Sequence, residues 1–333
     1  MGRYPLRTAI REYMNATTDY YAPKTLQDRR IVLLAIDREY ARAREENPKL
    51  RAEPRNWGEQ ELTTVMLALK RRGLAQSSQS QELRILNGLL HFVENNVMDR
   101  MKAKAPHVFP KPQHERKPSL NDDQLAKVLT TTEETKGWRG ECMRFMMATY
   151  ALTGLRLNEL RMAEYSDLDL KNWTIRVSHP KGERTYGRQR VVPIPEPLKP
   201  TVLRFLRERE RVLTESGLLG VRPLVFVEGT PEQPVAIQTV ESWASEVRVR
   251  SGVAFSVHTL RRTYGQNLLN RGVGIESVSV ALGHSSTLTT EKHYCRKDSD
   301  SARLEIAQAY QMSENVSLTK SRIERDKYLA GYA

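Results

Sequence analysis

Between residues 102 and 118 the chain reads KAKAPHVFPKPQHERKP, and its four prolines oppose both a continuous helix and a central strand. Apolar periodicity is clear on both sides of this stretch, so it divides a chain of 333 residues into two parts, each long enough to bury a core. The expected organisation is a helical domain over 1–101, a basic proline-rich linker over 102–118, a second domain over 119–311 and a C-terminal tail over 312–333. The linker reads either as a plain solvated connector or as a strap lying along phosphates.

In the first part, Leu26, Ile31, Leu33, Leu34, Ile36 and Tyr40 recur between charges, which predicts an amphipathic helix over 24–45 after Pro23. Further helices are expected over 5–16, 59–72 and 78–101, the last from Leu83, Leu86, Leu90, Val93 and Val97 on one face. In the second part the pattern predicts helices over 121–131 and 139–152, the latter ending near Gly154, whose freedom at positive φ suits a helix C-terminus. Residues 173–178 and 190–194 read as strands flanking a turn over 179–187, with Pro193 marking an edge. Helices over 196–214, 238–250, 258–271, 275–282 and 298–311 follow, with a short strand at 224–227. The fold class is therefore mainly α with a small antiparallel β-sheet.

A net charge of +13 favours a polyanionic partner, because clustered Lys and Arg displace counterions from nucleic acid, with an anionic membrane surface the weaker alternative. Residues 1–118 hold 22 basic against 14 acidic side chains, and the remainder carries a further net +5, so both parts suit one long anionic ligand. Two cysteines, Cys142 and Cys295, build neither a disulfide framework nor a thiolate zinc site. The opening MGRYPLRTAIREYMN lacks the apolar core of a signal peptide, and no run approaches the length of a membrane span. The expectation is a soluble, cytoplasmic, DNA-associated protein with no membrane partner.

The residues that carry chemistry are Arg156, Lys181, His258, Arg261, His284 and Tyr294, in the runs ALTGLRLNEL, HPKGER, HTLRRTYG, ALGHSS and TTEKHY. A phosphodiester under attack gathers negative charge on its oxygens, and a guanidinium, planar and always charged, matches two of them. Arg156 and Arg261 suit that task, and Glu159, three residues after Arg156, either holds its guanidinium or is a simple helix-start charge. His258 lies one helical turn before Arg261, and His284 precedes Ser285 and Ser286 at the start of another helix, where backbone donors attract phosphate. Lys181, in the turn between two strands, suits protonation of a departing oxygen; Lys171 and Arg184 are its alternatives. Tyr294, the one tyrosine between Tyr264 and Tyr310, supplies a nucleophile whose phenol needs neighbouring cations and a base. A zinc site of His258, His284 and His293 lacks a fourth nearby ligand, so neither metal nor other cofactor is expected.

In order and spacing these runs resemble the tyrosine recombinase/integrase family, over roughly residues 5–310; YAPKTLQDRR (21–30) resembles the start of a family core-binding helix. The resemblance implies a helical core-binding domain and an α+β catalytic domain clamped on double-stranded DNA. It implies site-specific recombination through a 3′-phosphotyrosyl intermediate and a free 5′-hydroxyl, without metal or ATP, by four protomers on two DNA sites. It also implies exchange of a C-terminal segment between neighbours, for which 312–333 is the candidate. Tyr294 stands ten residues after His284, where some relatives use nine and this chain has His293, so residue type as well as spacing assigns it. A type IB topoisomerase and a non-catalytic DNA-binding protein of the same fold are the alternatives.

Overall fold

The structure is a computed structural model that describes residues 5–112, 118–180, 182, 189–218, 220–284 and 286–293, with 292 and 293 described by backbone alone. The chain divides into two compact units, Met1–Glu115 and Arg116–Ala333.

Unit 1 is built from α1 (Pro5–Ala16), α2 (Pro23–Glu46), α3 (Glu59–Arg71), α4 (Gln76–Phe92) and α5 (Val97–Lys104). Leu33, Ile36, Leu62, Leu69, Leu86, Leu89 and Leu90 meet in a single core, each from the apolar stripe of its helix. The sequence predicts one helix over 78–101, but the chain breaks between α4 and α5, with Glu94 left-handed at φ 61°. The buried Asn95 side chain causes the turn: its amide donates to the carbonyls of Pro54 and Trp57, and its oxygen accepts from the Val97 N–H. Helical periodicity continues through the break, which is why the apolar pattern does not reveal it. The start of the proline-rich stretch also differs from expectation: α5 runs to Lys104, Phe109 is buried in the core, and the Lys111 N–H donates to Gln76.

Unit 2 is organised around α7 (Gly137–Thr153), which is buried on nearly every side by Trp138, Met143, Phe145, Met147 and Tyr150. A helix apolar all round belongs at the centre of a domain. Against it pack α6 (Asp122–Thr132), α9 (Lys199–Glu215), α10 (Ile237–Ser251) and α11 (Val257–Asn270); the Phe145 and Phe205 rings stack at 4.1 Å. The short α8 (Leu157–Arg161) follows α7, and α12 (Ile275–Leu282) and α13 (Thr287–His293) follow α11.

A three-stranded antiparallel sheet has the order β1 (Leu168–Asp169), β2 (Thr174–Val177), β3 (Arg190–Pro193), with Ile175 opposite Val192. β3 is an edge, as Pro193 predicts. The expected strand at 224–227 does not form. Leu224, Val225 and Phe226 are buried in the core instead, and the Phe226 carbonyl accepts from the Trp138 indole. The predicted helix over 298–311 and the tail over 312–333 lie outside the described residues.

Candidate active site

Arg156 owes its position to the end of α7. Gly154 is left-handed at φ 66°, and a Cβ there would lie 2.3 Å from the Tyr264 ring, so both conformation and space require glycine. The chain turns there and makes Arg156 the residue capping α8. Glu159, on the first turn of α8, reaches back with one oxygen to the Arg156 backbone N–H at 2.8 Å and with the other to Arg156 Nη1 at 2.7 Å. Both readings of Glu159 therefore hold at once: it caps the helix and holds the guanidinium.

A second arginine shares this carboxylate. Arg190, the first residue of β3, donates Nη1 to Glu159 Oε1 at 3.0 Å and Nη2 to Oε2 at 2.8 Å, a two-pronged pair. The Glu159 side chain is 1% exposed. Burial by itself would raise this carboxyl, but the hydrogen bonds and charge of Arg190, together with the backbone N–H and charge of Arg156, lower it to about 2.

Arg261 is held differently. Ser256 caps α11 by accepting from the Thr259 N–H, which sets His258 in the first turn and Arg261 one turn later. Arg261 is 3% exposed, and its two terminal nitrogens donate to the Gly154 and Leu282 carbonyls. Arg156 Nη2 donates to the Gly283 carbonyl at 2.7 Å. Both guanidinium groups thus grip the C-terminal end of α12, where the orphaned carbonyls and the negative end of the helix dipole favour cations. Gly283 is left-handed at φ 62°, and His284 follows it, with its N–H on the Ser279 carbonyl and its ring Nδ1 at 2.8 Å from the Thr290 hydroxyl of α13.

Arg156, His258 and Arg261 line one open groove of about 1030 Å³, together with His179 and Pro180, Glu241, Ser245 and Arg248 of α10, and Phe255. That volume is large for a small-molecule pocket, and the open form suits an extended ligand. His284 is joined to the same cluster through Gly283. Lys181 and Tyr294 lie outside the described residues, as does Arg184; His179 and Pro180, which precede Lys181, do line the groove, whereas Lys171 does not. Among the described residues no three His, Cys, Asp or Glu side chains gather where a metal ion would fit. Sequence reasoning missed Arg190 and Thr290. The signal for Arg190 was the strand itself: alternation puts it on the face of the buried Val192.

Residues 118–300 match the model of the phage integrase family, which is more than half of the chain. The chain belongs to that family. It is similar to the tyrosine recombinase XerA of Pyrococcus furiosus, 26% identical over 202 residues, spanning 59% of this chain and 62% of the relative. To XerA of Thermococcus onnurineus it is 26% identical over 246 residues, 71% of this chain and 79% of the relative. The fold is that of the Tn1549 transposon integrase in complex with circular intermediate DNA, with a TM-score of 0.67 at 18% identity, covering 90% of this chain and 98% of the other. The mainly helical fold with its small antiparallel sheet accords with the sequence reading, as does the family resemblance. Among the described residues of this integrase-family chain, no helix is long and apolar enough to cross a membrane.

Proposed function

We propose that this protein is a site-specific DNA recombinase that cuts and rejoins strands through a tyrosine-linked intermediate. The observation that carries the reading is the placement of Arg156, Arg261 and His258 on a single groove, both guanidinium groups held by backbone carbonyls. Cations fixed in this way need no reorganisation when charge develops on a phosphate, which is how preorganised sites lower a barrier. Family membership and the similarity to recombinases support the same reading.

In the proposed reaction Arg156 and Arg261 bind the non-bridging oxygens of the scissile phosphate. The Tyr294 oxygen attacks phosphorus as its proton passes to His258; the bond to the 5′ oxygen breaks, and Lys181 protonates that oxygen. His284, fixed at Nδ1 by Thr290, supports the charge that builds on the phosphate. The product is a 3′-phosphotyrosyl ester and a free 5′-hydroxyl. One phosphoester replaces another of similar energy, so attack by a partner strand's hydroxyl reverses the step without ATP or metal. Both units are basic and bind duplex DNA in this account, and four protomers pair two sites, with Tyr294 acting in its own protomer or a neighbour.

A pool of nicked duplexes with a randomised central segment tests the reading. Cleavage next to the nick releases a short fragment and traps the protein on DNA, and sequencing the trapped ends returns the target site. The expected result is a covalent complex that disappears in Tyr294→Phe. Retention of selected duplexes with no covalent product would leave a binding protein only, and relaxation of plasmid lacking the selected site would favour a topoisomerase.

A further inference from the structure

Arg190 has no part in the reaction as written above, yet it is built into the site. Its side chain is 14% exposed, and its forked end is committed to Glu159. Its guanidinium lies against the Gly283 backbone, where a Cβ would come within 2.7 Å of Nη1 and 2.8 Å of Cζ. Arg190 does not line the groove, whereas its partner Glu159 does. Stability is a poor explanation for such a pair. Removing an arginine and a carboxylate from water costs several kcal/mol per ion, and an apolar pair of similar volume often serves a core as well or better.

Charge offers a better one. Glu159 positions Arg156 through its backbone and its guanidinium at once. A carboxylate that close would also cancel the positive charge that a phosphate is to meet. With Arg190 on the same carboxylate, the triad of Arg156, Glu159 and Arg190 keeps one net positive charge, and Glu159 retains its hydrogen bonds to Arg156. Arg190 also ties β3, the strand that follows Lys181 in the chain, to α8.

We propose that Arg190 is a positioning residue of the strand-transfer site: it absorbs and orients the Glu159 carboxylate so that Arg156 presents an uncancelled guanidinium to the scissile phosphate. The inference rests on the recombinase reading above, and its test separates the two.

The probe is a nicked duplex recovered from the randomised pool, made with either an ordinary phosphate or a neutral methylphosphonate at the scissile position. Single-turnover cleavage, duplex retention and melting temperature are measured for the full chain. Arg190→Gln is expected to cleave the ordinary duplex about 100-fold more slowly, the size of effect that loss of a fixed charge partner produces. On the methylphosphonate, which is neutral before attack and gathers one negative charge fewer in the transition state, the deficit should shrink to below about 5-fold, since the electrostatic contribution is then smaller. Because Arg190→Gln leaves Glu159 short of a partner, the double variant Glu159→Gln with Arg190→Gln is made beside it. That pair restores the net positive charge and should regain at least about 10-fold in rate on the ordinary duplex. An Arg190→Gln rate within about 2-fold of the unaltered protein overturns the proposal. So does an equal loss on both duplexes, and so does a double variant no faster than the single one. If the unaltered protein captures nothing from the pool, the recombinase reading itself fails and the proposal goes with it.

Discussion

The two guanidinium groups of the groove are immobilised by opposite means. Arg261, 3% exposed, is clasped by the Gly154 and Leu282 carbonyls, neutral acceptors that fix it without touching its charge. Arg156, with its side chain 25% exposed, leans on one carbonyl and on the carboxylate of Glu159, an acceptor that fixes it more strongly but works against its charge. The first arrangement needs nothing more. The second needs Arg190, and the site holds Arg190. A cation can be positioned by dipoles or by an anion, and where an anion does it, a further cation keeps the balance positive.

If that contrast is right, substitutions on the two sides should fail in different ways. Arg261→Ala removes a charge and leaves two buried carbonyls without their donor, so cleavage should fall by at least about 1000-fold. Stability should fall with it by about 2–4 kcal/mol, as unpaired buried acceptors cost; denaturant melts and single-turnover cleavage together check this. Arg156→Gln should separate the two effects. Cleavage falls by about 100- to 1000-fold, but Glu159 keeps its pair with Arg190, so stability should change by less than about 1 kcal/mol. An Arg156 variant that unfolds as readily as Arg261→Ala would erase the distinction.

Acid sharpens the comparison further. The Glu159 carboxyl sits at about 2 in the fold, below its ordinary 4.5, because Arg190 and Arg156 outweigh the opposing effect of burial. The unfolded chain therefore takes up the proton first. Stabilisation from this group is complete above about pH 4.5 and is lost as pH falls toward 2, a change of about 3 kcal/mol. Backbone carbonyls do not titrate, so the clasp of Arg261 adds nothing in that window. Urea melts from pH 5 to pH 2 should accordingly show a shallower acid dependence in Glu159→Gln than in the unaltered protein. Identical slopes would remove Glu159 as the acid-sensitive member. The smallest effect is expected at Thr290, where Thr290→Val takes the hydroxyl from His284 Nδ1 and should slow cleavage about 10-fold, within the range for a residue that orients a catalytic group. A rate equal to that of the unaltered protein would show that His284 is held by other contacts.

Much of this was legible in the residue string because local rules and global packing agree. The stripe of α2, the glycine that ends α7 and the proline on the edge strand each carry their reason in the sequence. Arg156, His258 and Arg261, which the sequence singles out because a phosphate calls for guanidinium and imidazole at helix starts and one turn apart, do line one groove. The break between α4 and α5 was not legible, since it depends on an asparagine finding carbonyls near residue 57, about 40 positions away in the chain. The strand expected at 224–227 failed for a related reason: an apolar run has no local preference between pairing in a sheet and packing on α7. Arg190 was passed over because one arginine at the start of a strand is ordinary until tertiary structure sets it against a buried carboxylate and a glycine backbone.

In the proposed reaction the groove built by Arg156, His258 and Arg261 presents a phosphate to the phenol of Tyr294. That step is tested most directly by digesting the trapped protein–DNA complex with nuclease and protease and fragmenting the nucleotide-bearing peptide in a mass spectrometer. The expected product is a nucleotide joined through its 3′ phosphate to Tyr294. A nucleotide on His293 or any other side chain, or a trapped complex with no covalent bond to the protein, would contradict it.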